Sequence, residues 1–255
     1  MQYHHIRHAT GMLYYADFAL LIDPMLSEAK ANPPIQQSWN SRRNPLVPLP
    51  IKIESLPIPT HCLVTHLHRD HFDIAAEAYL PKQLPLICQP SDASAFSAMG
   101  FSTVFQVEST FNIPHTRVTV KRVPGRHGTG AIAERMGISS GYLFKAKGEP
   151  TLYITGDTVF YEAVEKTLLD EKPQIIIAFG GAAQFSEGDP ITLTPEDLLS
   201  IHRTVPDATI ICTHMEALNH CRTTRADLRA FLREAYNDSA AFVIPEDGTK
   251  LDFNL

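Results

Sequence analysis

Short apolar runs divided by polar turns set the rhythm of this chain. Residues 2–9 and 12–22 read as strands, with Gly11 turning between them and Ala16-Asp17 dividing the second run into two. Cys62-Leu63-Val64 reads as a buried strand end, and residues 72–80 then show helical apolar spacing with acids in the first turn. Leu86-Ile87-Cys88 is a further short strand, Ser91 caps a helix over 92–99, and 101–107 and 117–123 read as strands. Residues 141–147 and 151–155 form a hairpin-like pair, followed by a helix through Lys166. Residues 174–179 are the most apolar strand. Thr194-Pro195-Glu196-Asp197 carries the pattern of a capped helix start, with proline at the first helical position. A strand over 209–213, an amphipathic helix opened by Thr224 and running to Tyr236, and short strands at 241–244 and 249–253 close the pattern.

Residues 24–60 break this rhythm. Prolines recur through them, and Trp39, the chain's single tryptophan, sits in the middle. A stretch this long without periodicity inside a compact domain is usually functional. It is expected to be an ordered flap lying over part of a site. No internal repeat, low-complexity segment or linker is visible, so residues 1–255 are expected to form one α/β domain.

Composition changes this picture little. With 255 residues the chain can bury a sizeable core, and 20% charged residues with a net charge of -6 describe an ordinary soluble protein. No basic excess points to nucleic acid. The 4 cysteines, Cys62, Cys88, Cys212 and Cys221, lie far apart with no C-x-x-C pair, which suits core thiols in a reducing compartment. The first residues lack an apolar signal core and no run approaches a membrane span, so a cytoplasmic location is the expectation.

The candidate chemistry is concentrated in Val64-Thr65-His66-Leu67-His68-Arg69-Asp70-His71. On an extended backbone His66 and His68 leave the same face, and Asp70 and His71 sit where strand turns into helix. Three imidazoles and a carboxylate within six residues suit zinc or a similar divalent ion. His127 follows a strand and is flanked by glycines, which lets its backbone approach a metal closely. Asp157 ends the run Tyr153-Ile154-Thr155-Gly156, where it could cap a helix or place a carboxylate between two ions. His214 ends the strand at 209–213. His4, His5 and His8 have no defensible ligand spacing and read as ordinary strand histidines. Asp23, before Pro24, reads either as a turn former or as an acceptor that orients a histidine.

In order and context, His66, His68, Asp70, His71, His127, Asp157 and His214 resemble the ligand set of the metallo-β-lactamase superfamily. That resemblance implies an αββα sandwich, two mixed sheets packed face to face with helices outside, and a dinuclear metal site along one edge. It implies that His66, His68 and His127 hold one ion, that Asp70, His71 and His214 hold the other, and that Asp157 bridges them. Leu21-Ile22-Asp23-Pro24, Arg43-Asn44-Pro45 and Gly156-Asp157-Thr158 look most like the branch that contains L-ascorbate-6-phosphate lactonase and N-acyl-phosphatidylethanolamine phospholipase D. True β-lactamases use a cysteine at the second ion, and flavo-diiron proteins want glutamate where His68 stands. The glycine common just after the motif in glyoxalase II is absent, since Phe72-Asp73-Ile74-Ala75 follows.

Two divalent ions roughly 3.5–4 Å apart would give a bridging hydroxide near neutral pH. The expected activity is therefore hydrolysis of a small ester, lactone or phosphoester. Zinc is the first expectation for the metal, with manganese or iron as alternatives. Asp70 would orient the nucleophile or take its proton, and His220 would protonate a leaving group. Glu216, Arg43 and Asn44 are candidate substrate contacts, the last two as donors from the flap. The competing readings are a phosphodiesterase acting on a lipid or nucleotide and a metal-binding scaffold or sensor with little turnover. A small-molecule substrate is expected, with no nucleic acid, no membrane span, and a homo-oligomer left open.

Overall fold

In the computed structural model, which describes residues 1–236 and 240–253, two seven-stranded sheets face each other. The strands are β1 (Gln2–Arg7), β2 (Thr10–Tyr15), β3 (Phe18–Ile22), β4 (His61–Val64), β5 (Leu86–Cys88), β6 (Val104–Gln106), β7 (Thr110–Asn112), β8 (Thr119–Pro124), β9 (Ser140–Lys145), β10 (Leu152–Ile154), β11 (Ile175–Phe179), β12 (Thr209–Thr213), β13 (Phe242–Val243) and β14 (Lys250–Asp252). The helices are α1 (Ile74–Tyr79), α2 (Ala93–Ala98), α3 (Gly130–Met136), α4 (Glu162–Glu171), α5 (Pro195–Thr204) and α6 (Arg225–Ala235). One sheet runs β14-β1-β2-β3-β4-β5-β6 and the other β13-β12-β11-β10-β9-β8-β7. In each, antiparallel strands at one side give way to parallel ones, at β3–β4 in the first sheet and at β10–β11 in the second.

Strand alternation explains the layering. Ile175, Ile177 and Phe179 face the interior between the sheets, while Ile176 and Ala178 pack under helices. Both faces of β11 are buried, which is why its sequence is continuously apolar. Val164, Leu168, Leu198, Leu228 and Leu232 bring α4, α5 and α6 onto one outer face. Ala76 and Phe96 bring α1 and α2 onto the other. The result is the expected αββα sandwich. The starts of α5 and α6 carry reciprocal capping boxes, Thr194 with Asp197 and Thr224 with Asp227.

Several local expectations shift. Gly11 does not turn the chain; it lies within β2, paired with His5 and Ile22, and the turn falls at His8-Ala9. The glycine serves space instead, because a Cβ there would lie 2.4 Å from the Tyr3 ring. Ser91 is not a cap. Residues 90–92 form a short 3-10 turn, and the Asp92 carboxylate accepts from Leu67 N at 2.9 Å, bracing the histidine-rich turn. Strand β7 is only three residues long, and α3 begins on glycine and buries no residue. Neither has the periodic apolar signature that reveals an element.

The segment 24–60 is tied down by donors from the sheet. Arg7 is fully buried, and its guanidinium donates to Met25 O at 2.7 Å, Ser27 O at 2.9 Å and Val47 O at 3.0 Å. Burial lowers its pKa to about 10, so it stays cationic at neutral pH. Arg7→Met would leave these carbonyls without their partner, at a cost of about 2–4 kcal/mol. Calorimetry should then show a melting temperature lower by about 5–15 °C, with proteolysis concentrated in 24–60. An unchanged melting temperature and cleavage pattern would show that the segment is held by other contacts.

Candidate metal centre

The histidine-rich turn begins where β4 ends. After Val64 the backbone leaves the sheet, and His68 N bonds to His66 O at 3.0 Å. His71 N and Phe72 N then both reach His68 O, at 3.0 and 2.9 Å. His66 and His68 therefore meet through a tight turn rather than along an extended strand. Their ring nitrogens, His66 Nε2 and His68 Nδ1, stand 2.9 Å apart. His127 comes from the loop after β8, Asp157 from the loop after β10, and His214 follows β12 directly. Gly156 makes the approach to Asp157 feasible: its φ is +61°, and a Cβ would lie 2.3 Å from Ser140 O.

All seven predicted residues converge. His66, His68 and His127 form one group of donor atoms, and Asp70, His71, Asp157 and His214 form another, each with donor atoms within 4.8 Å of one another. Asp157 spans the two. Its Oδ2 lies 3.3 Å from His71 Nε2, 3.3 Å from His127 Nε2 and 3.9 Å from His66 Nε2, while Oδ1 lies 3.2 Å from His214 Nε2.

The donor chemistry fits cations at both groups. His127 Nδ1 donates to Ile191 O at 2.8 Å, so its Nε2 presents a lone pair toward the Asp157 carboxylate. His71 Nδ1 donates to Asp23 Oδ2 at 2.8 Å, which likewise leaves Nε2 free, facing His214 Nε2 at 3.3 Å. Lone pairs crowded around two buried carboxylates repel one another unless positive charge lies among them. Titration directions agree. Burial, then His71 and His68, push His66 well below the usual histidine range, and burial lowers His127. Burial alone would lower His71, but Asp157, Asp70 and Asp23 outweigh it and hold the group well above that range. Burial opposes ionisation of Asp70 and Asp157 as well, yet the surrounding histidines keep both carboxyls well below the usual range. His66 and His127 are thereby neutral and both carboxyls ionised, the states a divalent ion requires, while the proton that three carboxylates hold on His71 marks where a cation would neutralise them.

Asp23 is the hub behind this geometry. Besides His71, it accepts Thr65 N at 2.7 Å and Thr65 Oγ1 at 2.8 Å, and Thr65 Oγ1 in turn lies 3.2 Å from His66 Nδ1. One buried carboxylate thus sets the tautomers of a histidine in each group, the orienting role considered for it from sequence.

The predicted substrate contacts fare differently. Arg43 donates through Nε to Lys30 O at 2.8 Å and through Nη2 to Ala31 O at 2.7 Å, stitching the flap to itself. Asn44 is buried and exchanges bonds with Asn219 at both ends of its amide. Glu216 is engaged through both oxygens by Arg225, whose guanidinium also meets Asp247 and His5. These three hold loops in place, and of them Asn44 lines the cavity beside Asp70. His220 is buried, and its Nδ1 has no hydrogen-bond partner among the described residues.

Two residues escaped sequence reasoning. Asn219 receives Ile35 N at 2.9 Å on its Oδ1 and donates to Ile35 O and Asn40 O, as well as to Ser38 Oγ, so it fixes the flap next to His220. Nothing in its sequence context marks it. His8, set aside from the ligands, is fully buried against Asp70 and His214. Its signal was faint: one of three histidines in the first strand run, three residues before Gly11.

A cavity of about 300 Å³ opens beside Asp70, walled by Met25, Pro33, Pro34, Ile35 and Leu218. Met25, Ala217 and Leu218 form a small apolar cluster with Ile35 and Val47 packed on it, which joins the flap to the loop after His214. Arg69 stands at the rim. Trp39, half exposed, packs its ring under the Arg222 guanidinium at 4.3 Å.

The sequence profile of the β-lactamase superfamily domain matches residues 19–215. The UPF0173 protein YddR of Bacillus subtilis is 35% identical over 254 residues, 97% of this chain and 98% of that protein. A UPF0173 metal-dependent hydrolase of Xanthobacter autotrophicus is 28% identical over 216 residues, 80% of this chain and 79% of the relative. Among solved structures, the isothiocyanate hydrolase from Delia radicum gut bacteria aligns with a TM-score of 0.94 at 34% identity over 99% of both chains. No helix among the described residues is long and apolar enough to cross a membrane.

Proposed function

The chain belongs to the metallo-β-lactamase superfamily of metal-dependent hydrolases, and on that premise we propose that it hydrolyses a small, uncharged carbon electrophile seated in the apolar cavity beside Asp70. Esters, lactones and isothiocyanates share that chemistry: an electron-poor carbon and no charge to neutralise. The cavity is the observation that carries the reading. Its volume of about 300 Å³ is at the lower end for small-molecule sites, and proline, isoleucine, leucine and methionine share its walls with Asn32, Gln36 and Asn44. A phosphodiester would ask for several converging cationic donors, and Arg69 alone is cationic among the described residues that line the cavity. The isothiocyanate hydrolase, similar over its whole length, supports this substrate class.

The residues divide the work. His66 Nε2, His68 Nδ1 and His127 Nε2 would hold one divalent ion, and Asp70, His71 and His214 the other, with Asp157 between them. Bound there, two such ions would supply Lewis acidity, making a water nucleophilic near neutral pH and polarising the oxygen or sulfur attached to the carbon under attack. Asp70, 13% exposed and lining the cavity, orients the incoming water and can accept its proton. The flap walls exclude bulk water from the apolar end of the substrate.

His220 takes a role different from proton donation by an imidazolium. Burial lowers its pKa to about 4, so it is neutral at pH 7. A neutral imidazole N–H can still donate a hydrogen bond to an oxygen or sulfur on which negative charge develops. His220→Ala should lower kcat by about 10²-fold with metal content and KM nearly unchanged. Equal losses in kcat/KM and in bound metal would instead assign it to site assembly.

The substrate reading is tested by assaying zinc- and manganese-loaded protein against a lactone, a carboxylester, an aryl isothiocyanate and bis(p-nitrophenyl) phosphate. Turnover of the uncharged electrophiles should exceed that of the phosphodiester. Preference for the phosphodiester would overturn it.

A further inference from the structure

The hairpin turn between β1 and β2 does more for the centre than its sequence suggests. Arg7 clamps the flap, as described above. Thr10 Oγ1 donates to Asp23 O at 2.7 Å and accepts from Met25 N at 2.9 Å, fixing the chain around the tautomer-setting carboxylate. Between them, His8 adopts a φ of 60°, a left-handed conformation uncommon outside glycine. That conformation swings the imidazole over the candidate centre. Its Nε2 lies 3.3 Å from Asp70 Oδ2, closer than the 3.6 Å of either His71 Nε2 or His214 Nε2. Its ring packs on His214 with centroids 3.7 Å apart, and its carbonyl accepts His214 N at 2.9 Å. His8 therefore touches two members of the second donor group, once through its side chain and once through its backbone.

A ligand role for His8 itself fits poorly. Its donor atoms group with His214 and Cys221. The Cys221 thiol donates to His214 O at 3.7 Å, which turns it to the backbone. His8 Nε2 faces a carboxylate oxygen, which can only accept, so the hydrogen bond at 3.3 Å places the ring proton on that nitrogen.

We propose that His8 is a positioning residue for the second metal ion: its Nε2–H holds Asp70 in the ligating rotamer while its backbone carbonyl fixes His214. This rests on the metal-centre reading above. A carboxylate ligand left without an orienting donor typically costs 10–100-fold in metal affinity.

The test is metal affinity rather than turnover. Chelator-competition titrations with zinc would be run on wild type and on His8→Phe, His8→Gln and His8→Asn, with folding of each checked by circular dichroism. Phenylalanine keeps a ring against His214 and loses the donor. Glutamine can carry an amide N–H to the place of Nε2, whereas asparagine falls short of it. In His8→Phe and His8→Asn the second ion should bind about 10–100-fold more weakly and the first as in wild type, while His8→Gln should stay within about threefold of wild type at both. If the phenylalanine variant does not fold, the glutamine–asparagine pair gives the same contrast. Wild-type affinity for both ions in the phenylalanine or asparagine variant would overturn the proposal. Equal weakening in the glutamine variant would overturn it too, because it would reduce His8 to a packing role. A wild-type protein that binds no zinc would bring down the metal-centre reading itself, and this inference with it.

Discussion

Titrating the chelator-stripped protein with zinc is expected to load about two ions per chain, because seven ligand residues exceed what one tetrahedral ion with an open position can use. The two donor groups, spanned by Asp157, favour two sites over one crowded site. Loading should also stabilise the fold. Free metal at about 100 times its dissociation constant contributes roughly 2.7 kcal/mol per site, which for a chain this size raises the melting temperature by about 5–10 °C. Inductively coupled plasma analysis and differential scanning calorimetry on the same samples read both quantities. Manganese and ferrous iron belong in the titration, since imidazole and carboxylate ligands accept several first-row ions. Binding of no ion, with no thermal shift, would remove the metal mechanism. A single tight equivalent would confine it to one of the two groups.

Replacing His68 by alanine is expected to cost on the order of 10³-fold or more in kcat/KM, since residues that act as a unit in a reaction fail together. The imidazole supplies Nδ1 to the first donor group, and its recorded polar partner there is His66. The backbone bonds of the turn, from His68 N to His66 O and from His71 N and Phe72 N to His68 O, survive the substitution. His68 is also only partly buried, unlike His66 and His71, so little packing is lost. The metal-free variant should melt within about 1–2 °C of metal-free wild type, as expected when little packing changes. Full activity would exclude the ligand role. A large drop in metal-free stability would instead mean that this imidazole holds the turn together.

The centre was legible where ligands are close in sequence or stand at the ends of apolar runs. His66, His68, Asp70 and His71 announce themselves within six residues, and His127, Asp157 and His214 each follow a strand that hydrophobic pattern alone locates. The residues around them were not legible in the same way. Arg43 and Asn44 have the chemistry of substrate donors, and sequence cannot tell that they also bind Lys30, Ala31 and Asn219. Nor does sequence show that Arg225, nine residues on, binds both oxygens of Glu216. Whether a polar side chain is free is a property of the fold, because its partners come from distant parts of the chain.

Hydrophobic periodicity by itself located most strands and the capped helices α5 and α6, and the spacing of imidazoles and carboxylates singled out the seven residues whose resemblance to a known ligand set implied the αββα sandwich. These are short-range features, written in the alternation of buried positions and in the chemistry of a few neighbouring side chains. Only the tertiary structure decided that His66 and His68 meet through a turn instead of along a strand, and that Asp23 sets the tautomers of His66 and His71. It alone decided that His8 backs Asp70 across 62 residues of chain, and that Arg7 and Asn219 pin the flap into the wall of a cavity. The physical reason is common to all of them. Buried hydrogen-bonding groups must find partners, but which partners they find depends on how two sheets close over one another, and no local pattern encodes that.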